Sequence, residues 1–96
     1  MIEFLIKRTD GEWFDFPRES DPYRPVSIPY KQVEGWGNGR IEIDGCQISF
    51  SYEDPGVQVS FEGEIHEQRA AVIAEEIRQR IEQVSGQTAE AIQISW

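Results

Sequence analysis

The stretch from residue 40 to residue 63, RIEIDGCQISFSYEDPGVQVSFEG, constrains the fold more than any other part of the chain. Apolar and polar residues alternate through three short segments, and alternation with a period of two is typical of strands with one buried face. Asp44-Gly45 favours a two-residue hairpin turn, and Pro55-Gly56 fits the central positions of a type II turn. The stretch therefore predicts three antiparallel strands joined by two tight turns.

The positions of the two turns predict which side chains share a face. Counting outward from the turns pairs Ile43 with Cys46, Ile41 with Ile48, Phe50 with Phe61 and Tyr52 with Val59. The opposite face then receives only polar side chains: Glu42, Gln47, Ser49, Ser51, Glu53, Gln58, Ser60 and Glu62. One face of these strands is therefore expected to be core, and the other to be polar and free of large apolar residues.

The N-terminal residues predict a further hairpin. Residues 2–6 alternate, and Asp10-Gly11 is a turn signal. Of two possible registers, we expect the one with a three-residue loop, because it keeps apolar side chains opposite apolar ones. It pairs Ile6 with Phe14 and Phe4 with Phe16, and it places Lys7 beside Trp13.

Residues 66–86, HEQRAAVIAEEIRQRIEQVSG, predict an amphipathic helix. Its apolar side chains recur at a spacing of 3.6 residues: Ala70, Ile73, Ala74, Ile77, Ile81 and Val84. Glu76 and Arg80 are spaced for a favourable i,i+4 ion pair. Gly86 is a typical helix terminator, so the helix is expected to end there.

The segment EAIQISW after this helix predicts a final strand, with Ile92, Ile94 and Trp96 on one face. The elements combine most economically as an α+β fold in a single domain, residues 1–96. It would have a mostly antiparallel sheet of five to six strands, and the C-terminal helix would pack on its apolar face. The central core is expected to hold Phe4, Ile6, Phe14, Phe50, Phe61, Ile73, Ile77 and Ile81.

Residues 17–39 form the irregular part of the chain and contain four of its five prolines. Proline disfavours a long helix here, although a short edge strand at residues 26–28 is compatible with the sequence. The glycine-rich stretch EGWGNG leads into a strand, so it lacks the helix that a phosphate-binding loop requires. Its Trp36 is interpreted first as a residue that caps the core at a tight corner, and second as a partner contact.

Composition limits the partners. Eighteen acidic residues against nine basic ones give a formal net charge of −9 at pH 7, and this balance opposes binding to nucleic acid or to an anionic membrane. The sequence has no apolar run long enough to span a bilayer, and the basic residues of MIEFLIKR follow its apolar stretch, which is the wrong order for a signal peptide. We therefore expect a cytoplasmic protein without nucleic-acid or membrane partners.

Catalytic chemistry has little support in the sequence. The one cysteine, Cys46, is expected to point into the core, where a thiol is inert, and the one histidine, His66, lies at the start of the helix. No CxxC motif or histidine pair favours zinc, and the acidic turns lack the spacing of a calcium loop. The sequence predicts a protein that is not an enzyme and that needs no metal or cofactor.

The polar strand face supplies the first candidate binding residues. Glu42, Glu53 and Glu62 share this face with no lysine or arginine among them, so it is either a solvated face or a docking surface for a basic protein. Tyr23, Tyr30 and Trp36 of the irregular region are the other candidate contacts, since large aromatic side chains are favoured at interfaces.

Three classes of function follow from these residues. The first is a small, acidic, non-catalytic protein-binding module, such as an inhibitor or immunity-type protein that acts on a basic protein partner. The alternative is a structural or regulatory subunit that self-associates, for instance as a homodimer, through an edge strand or through residues 17–39. The third is a small-molecule or enzymatic role in a pocket between helix and sheet.

Overall fold

The computed structural model describes residues 1–34, 39–53 and 56–94. Along these residues the chain forms six strands and one helix. In chain order they are β1 (Ile2–Arg8), β2 (Lys31–Gln32), β3 (Ile41–Ile43), β4 (Cys46–Glu53), β5 (Gly56–Glu62), α1 (Glu67–Ser85) and β6 (Ala89–Ile94).

The six strands form one sheet in the order β2-β3-β4-β5-β1-β6, and every neighbouring pair is antiparallel. The N-terminal strand therefore lies inside the sheet, between β5 and the last strand. α1 packs on one face of the sheet and contacts β6 and β1. This arrangement confirms the predicted α+β class, with one helix on an antiparallel sheet and a strand after the helix.

The Asp44-Gly45 turn forms as predicted. Both residues have positive φ, 53° at Asp44 and 77° at Gly45, and such a turn matches the twist of the two strands that it joins. The predicted register of β3 on β4, with Ile43 opposite Cys46, is confirmed. Local backbone chemistry at the turn is thus sufficient to align these two strands.

The predicted register of β4 on β5 is wrong by two residues. Phe50 lies opposite Val59 and Tyr52 lies opposite Val57, because β5 already begins at Gly56. Since side chains alternate with a period of two, a shift of two residues leaves each side chain on its predicted face. The division into an apolar and a polar face therefore survives, although individual partners change.

Gly56 is a strand residue, paired with Glu53 on β4 and with Lys7 on β1. A Cβ atom built on Gly56 would lie 2.2 Å from the Ile6 carbonyl oxygen and 3.0 Å from the Lys7 Cα atom. Only glycine allows the backbones of β5 and β1 to approach this closely. The sequence suggests that Gly56 belongs to a turn, but in the structure it is a strand residue at a position where no larger side chain fits.

The predicted hairpin between β1 and residues 12–16 is wrong. Both edges of β1 are occupied, since it forms six residue pairs with β5 and six with β6. These long ladders outweigh the shorter hairpin. After β1 the Gly11 N–H donates to the Arg8 carbonyl oxygen, and the chain then leaves the sheet. Phe14 is buried in the core without being part of a strand. The predicted neighbour of Lys7, Trp13, instead stacks on Tyr52 with ring centroids 5.0 Å apart.

Residues 12–30 lie beside α1 and cover the rest of the apolar face of the sheet. Within this segment the Tyr23 ring packs against Phe50 of β4, and the Phe14 carbonyl oxygen accepts a hydrogen bond of 3.0 Å from the Tyr52 hydroxyl. The helix and this segment thus form one layer on what we call the inner face. The core lies between this layer and the sheet, and all eight side chains predicted to be central are buried.

Glu76 of α1 holds this segment in place. Its carboxylate accepts from the Ser27 N–H at 2.7 Å, from the Ser27 hydroxyl at 2.8 Å and from the Ile28 N–H at 3.1 Å. Because these backbone donors point to the helix, the edge strand predicted at residues 26–28 does not form, and the edge strand is Lys31–Gln32 instead.

The helix has the predicted extent, and both of its ends are capped. The His66 Nδ1 atom accepts from the Gln68 N–H at 3.2 Å, and Gly86, with a φ of 71°, donates to the Glu82 carbonyl oxygen at 2.8 Å. These bonds satisfy backbone groups that have no partner within the helix.

Candidate binding face of the sheet

The face of the sheet that points away from α1 and residues 12–30 is here called the outer face. On β4 its exposed side chains include Gln47 and Ser51, as the alternation predicts. Half-buried Ser49 and Ser60 lie opposite one another across β4 and β5. This part of the outer face is polar, and three of these four side chains are serines.

β1 and β6 give the outer face an apolar part that the pattern of β3 to β5 does not predict. Leu5 lies opposite Ile92, and Ile94 lies two residues further along β6. The Ile92 side chain is 43% exposed, and Leu5 and Ile94 are half-buried. We call Leu5, Ile92 and Ile94 the apolar strip. It is the most interface-like feature of this face, because interfaces are centred on apolar side chains.

The apolar strip was detectable in the sequence. Leu5 falls between the alternating residues of β1, and in AEAIQI the two alanines and the two isoleucines fall on opposite faces of a strand. Since α1 lies over β6, Ala89 and Ala91 take the positions beneath the helix. Ile92 and Ile94 share one face, as predicted, but that face is the outer one, while Trp96 lies outside the described residues.

Glu3 of β1 also lies on the outer face, opposite Ser60 on β5 and Ile94 on β6. Its carboxylate accepts hydrogen bonds from the Gln58 amide and, at 3.1 Å, from the Ser60 hydroxyl. Glu3 is only 9% exposed, and a buried carboxylate requires such donors. These contacts hold the Glu3, Gln58 and Ser60 side chains in one arrangement.

Glu42 and Glu62 lie in one row across the outer face, because Gln47 of β4 is opposite both of them. Two strand spacings separate their Cα atoms, roughly 10 Å. The Arg40 Nη1 atom reaches this row, 2.8 Å from Glu62 Oε2 and 3.1 Å from Gln47 Oε1. The expectation that no basic side chain lies among these glutamates is therefore wrong, and the face carries mixed charge.

Glu53 lies away from this row. It is six residues from Gln47 along β4, about 20 Å in an extended strand, and its side chain is outside the described part of the structure. At that end of the sheet the Lys7 Nζ atom is 3.7 Å from the Glu90 carboxylate. The three glutamates proposed from the sequence thus share a sheet but not one cluster.

The three aromatic candidates differ in their placement. Tyr23 packs in the inner layer, with its ring centroid 5.2 Å from that of Phe50 and 6.0 Å from that of Phe16, and burial raises its pKa. Tyr30 is half-buried, and its hydroxyl accepts from Arg24 Nη1 at 3.2 Å. Trp36 lies outside the described residues. Tyr23 therefore has a packing role, whereas Tyr30 faces a surface cleft.

Cys46 and His66 have separate structural roles. The buried Cys46 thiol donates to the Glu62 carbonyl oxygen at 3.4 Å, and burial raises its pKa, so the reactive thiolate is disfavoured. His66 caps α1 through its Nδ1 atom. In the described ranges, no group of three or more His, Cys, Asp or Glu side chains is arranged to hold a metal ion.

The free edge of β6 is partly closed by the helix. The pairing with β1 turns the N–H and C=O groups of Ala89 away from the sheet. Glu82 accepts from the Ala89 N–H at 2.8 Å, Arg78 donates to the Ala89 carbonyl oxygen at 3.1 Å, and the two side chains form an ion pair of 2.7 Å. This pair occupies the edge as a neighbouring strand would.

Comparisons of the chain with protein-family models, curated proteins and solved structures gave no significant match. In the part of the chain that the structure describes, no helix is long and apolar enough to cross a membrane.

Proposed function

We propose that this protein is a non-catalytic binding module that docks a basic partner protein on its outer face. The observation that carries the proposal is the apolar strip, which is partly exposed and lies beside the polar side chains of β4 and β5. Interfaces combine an apolar centre with a polar rim, and the serines of the polar part, Ser49, Ser51 and Ser60, lose little conformational freedom on binding. An inhibitor or immunity-type protein would use such a face to cover part of its partner.

Charge supports a basic partner. The molecule has a net charge of −9, which attracts basic proteins over distances of about a Debye length, ~8–10 Å at physiological salt. Glu42, at one end of the outer face, lies opposite Lys31 in the ladder but forms no ion pair within the described residues. A basic side chain of a partner would therefore find an available carboxylate there.

The apolar strip is tested by affinity capture with immobilised full-length protein and a lysate of its native source. Ile92→Ala is expected to lose a basic protein that the wild type retains. Val72→Ala is the matched control, because Val72 is an exposed β-branched residue of α1, 51% exposed against 43% for Ile92. Equal retention by both variants would contradict docking on this face.

The charge is tested in the same assay with Glu42→Lys and its control Glu12→Lys. Both residues are acidic, and the two variants have the same net charge, but Glu12 lies in the segment that covers the inner face. Only Glu42→Lys is expected to release the partner. If the two variants release it to the same extent, the attraction comes from overall charge and not from this site.

Self-association through β6 is the second candidate function, and the backbone groups along the free edge of this strand favour it. The backbone groups of Ala91 and Gln93 also point away from β1, and they have no hydrogen-bond partner among the described residues. Ala91→Pro removes one of these outward donors at a site where an edge strand tolerates proline. Analytical sedimentation should show that the wild type is a dimer and that the Ala91→Pro variant is a monomer. A monomeric wild type would reject this candidate.

A further inference from the structure

A cleft of about 440 Å³ lies between residues 24–30 and the C-terminal half of α1. Arg24 to Tyr30 form one wall, and Arg80 with Gln83 forms the other. Among the described residues that line it, both charged side chains are arginines. The cleft is therefore a positively charged exception in a protein with eighteen acidic and nine basic residues.

Arg80 is positively charged and forms no ion pair with a carboxylate among the described residues. Its expected partner Glu76, one turn earlier, is instead engaged by Ser27 and Ile28, so the i,i+4 ion pair predicted from the sequence does not form. Arg80 uses its Nε atom to donate to the Asp21 carbonyl oxygen at 3.1 Å. In the described part of the chain its two terminal nitrogens have no hydrogen-bond partner. A guanidinium in this state is suited to bidentate binding of a carboxylate or phosphate.

Arg24 lies close to Arg80, because Asp21 contacts both. The Asp21 Oδ2 atom is 3.8 Å from Arg24 Nε, a long ion pair, and the Asp21 carbonyl oxygen binds Arg80. The Arg24 Nη1 atom donates to the Tyr30 hydroxyl at 3.2 Å, which orients the guanidinium at the cleft. Asp21 and Glu76 are the neighbouring acids, and both already have partners.

The wall formed by residues 24–30 is held in a fixed conformation and is partly apolar. Pro25 and Pro29 restrict the backbone, and Glu76 binds the segment between them by three hydrogen bonds. Val26, which is 44% exposed, and Tyr30 both line the cleft. A volume of about 440 Å³ is within the range of small-molecule sites, roughly 300–1,000 Å³.

We propose that this cleft binds a small organic anion. Its phosphate or carboxylate group contacts Arg80 and Arg24, and its apolar body lies against Val26 and Tyr30. The cleft is on the inner side of the molecule, opposite the outer face, so this site is independent of the proposed protein docking.

The test is a titration of the ¹⁵N-labelled full chain with phenyl phosphate, with benzoate and with neutral benzyl alcohol, followed by amide chemical shifts. Saturable shifts at Ser27, Ile28 and Tyr30 are expected with an anion and not with the alcohol. The anion that binds more tightly identifies the preferred charged group. The proposal is overturned if neither anion gives saturable shifts by roughly 10 mM, or if the alcohol binds equally well.

Two variants separate the site from general charge effects. Arg80→Gln is expected to weaken anion binding roughly tenfold or more, as the loss of a charge-assisted hydrogen bond implies. Arg18→Gln gives the same net charge, removes an exposed arginine outside the cleft lining, and should leave the affinity unchanged. Equal weakening by the two variants would refute the site.

A third variant distinguishes the loss of anion binding from the loss of folding. Arg80→Lys keeps the charge but lacks the fork of the guanidinium, so it should bind the anion with intermediate affinity. Its amide spectrum reports whether the fold is intact. Wild-type affinity in a folded Arg80→Gln protein would also exclude Arg80 as a ligand-binding residue.

Discussion

At Gly56 the backbones of β5 and β1 lie so close that a methyl group would overlap the Ile6 carbonyl oxygen, 2.2 Å away. Main-chain atoms on a central strand cannot move aside without disturbing the ladder on both sides. Gly11 has a different requirement. An added Cβ there would have open space, but the residue adopts a φ of 79°, which L side chains disfavour.

The two glycines give a prediction at the scale of single residues. Gly56→Ala is expected to lower the free energy of unfolding by about 1–3 kcal/mol through overpacking. Gly11→Ala should cost about 1 kcal/mol, from backbone strain alone. Urea denaturation followed by fluorescence measures both. A Gly56→Ala protein as stable as the wild type would contradict the close approach of β5 and β1 at this position.

At the scale of elements, Glu76 joins α1 to residues 12–30. The N–H and hydroxyl of Ser27 and the N–H of Ile28 donate to its carboxylate. The hydrogen bond from the Ser27 N–H contributes most to lowering the pKa of Glu76 below its ordinary value of 4.5. A carboxylate whose pKa is lowered in the folded state stabilises the fold fully above its unfolded pKa. This stabilisation is lost as the pH falls through the lower, folded pKa.

Glu76→Gln is therefore expected to destabilise the protein near pH 7 by roughly 1 kcal/mol, a low figure because solvent reaches the carboxylate. The difference from the wild type should begin to shrink below about pH 4.5, where the unfolded carboxylate takes up a proton, and should shrink further as the pH falls through the lower, folded pKa of Glu76. Urea denaturation of both proteins from pH 7 down to about pH 3 measures this convergence. Gln68→Ala, on the exposed side of the helix, is the control and should give a pH-independent difference. A constant Glu76→Gln difference across the range would contradict the assignment.

At the scale of the whole molecule, the two faces of the sheet have different surroundings. Folding requires the inner face, where α1 and residues 12–30 enclose the core. The outer face contributes less to the core and, under the proposed function, meets the partner. The net charge of −9 then acts on the partner before contact, through the field of the entire molecule.

This charge predicts how association depends on salt. The association rate constant for a basic partner should fall as ionic strength rises from about 0.01 M to about 0.15 M, since the Debye length shortens from ~30 Å to ~8 Å. Dissociation should change less, because the apolar strip is insensitive to screening. Surface plasmon resonance at several salt concentrations measures both rates. A salt-independent association rate would argue against a basic partner.

Several elements were predictable because their signals are local. The Asp44-Gly45 turn depends on two residues that adopt positive φ, and the helix follows from a 3.6-residue period with Gly86 at its end. The buried residues follow from alternation, which tolerates even the two-residue register error between β4 and β5. For the candidate site, Glu42 and Glu62 were placed correctly on one face, while the apolar strip and Arg40 beside Glu62 were not foreseen.

The sequence by itself determined the α+β class, the extent of the helix, the presence of a final strand after it, and the eight central core residues. Only the tertiary structure decided that β1 lies between β5 and β6, that residues 12–30 lie on the sheet, and that Glu76 binds Ser27 and Ile28 instead of pairing with Arg80, which lines a cleft. The physical reason is the range of the forces involved. Turns, caps and periodic burial act between neighbours in the chain. The choice of partner by Glu76 depends on groups about fifty residues away, and the pairing of β1 with β6 joins residues more than eighty apart.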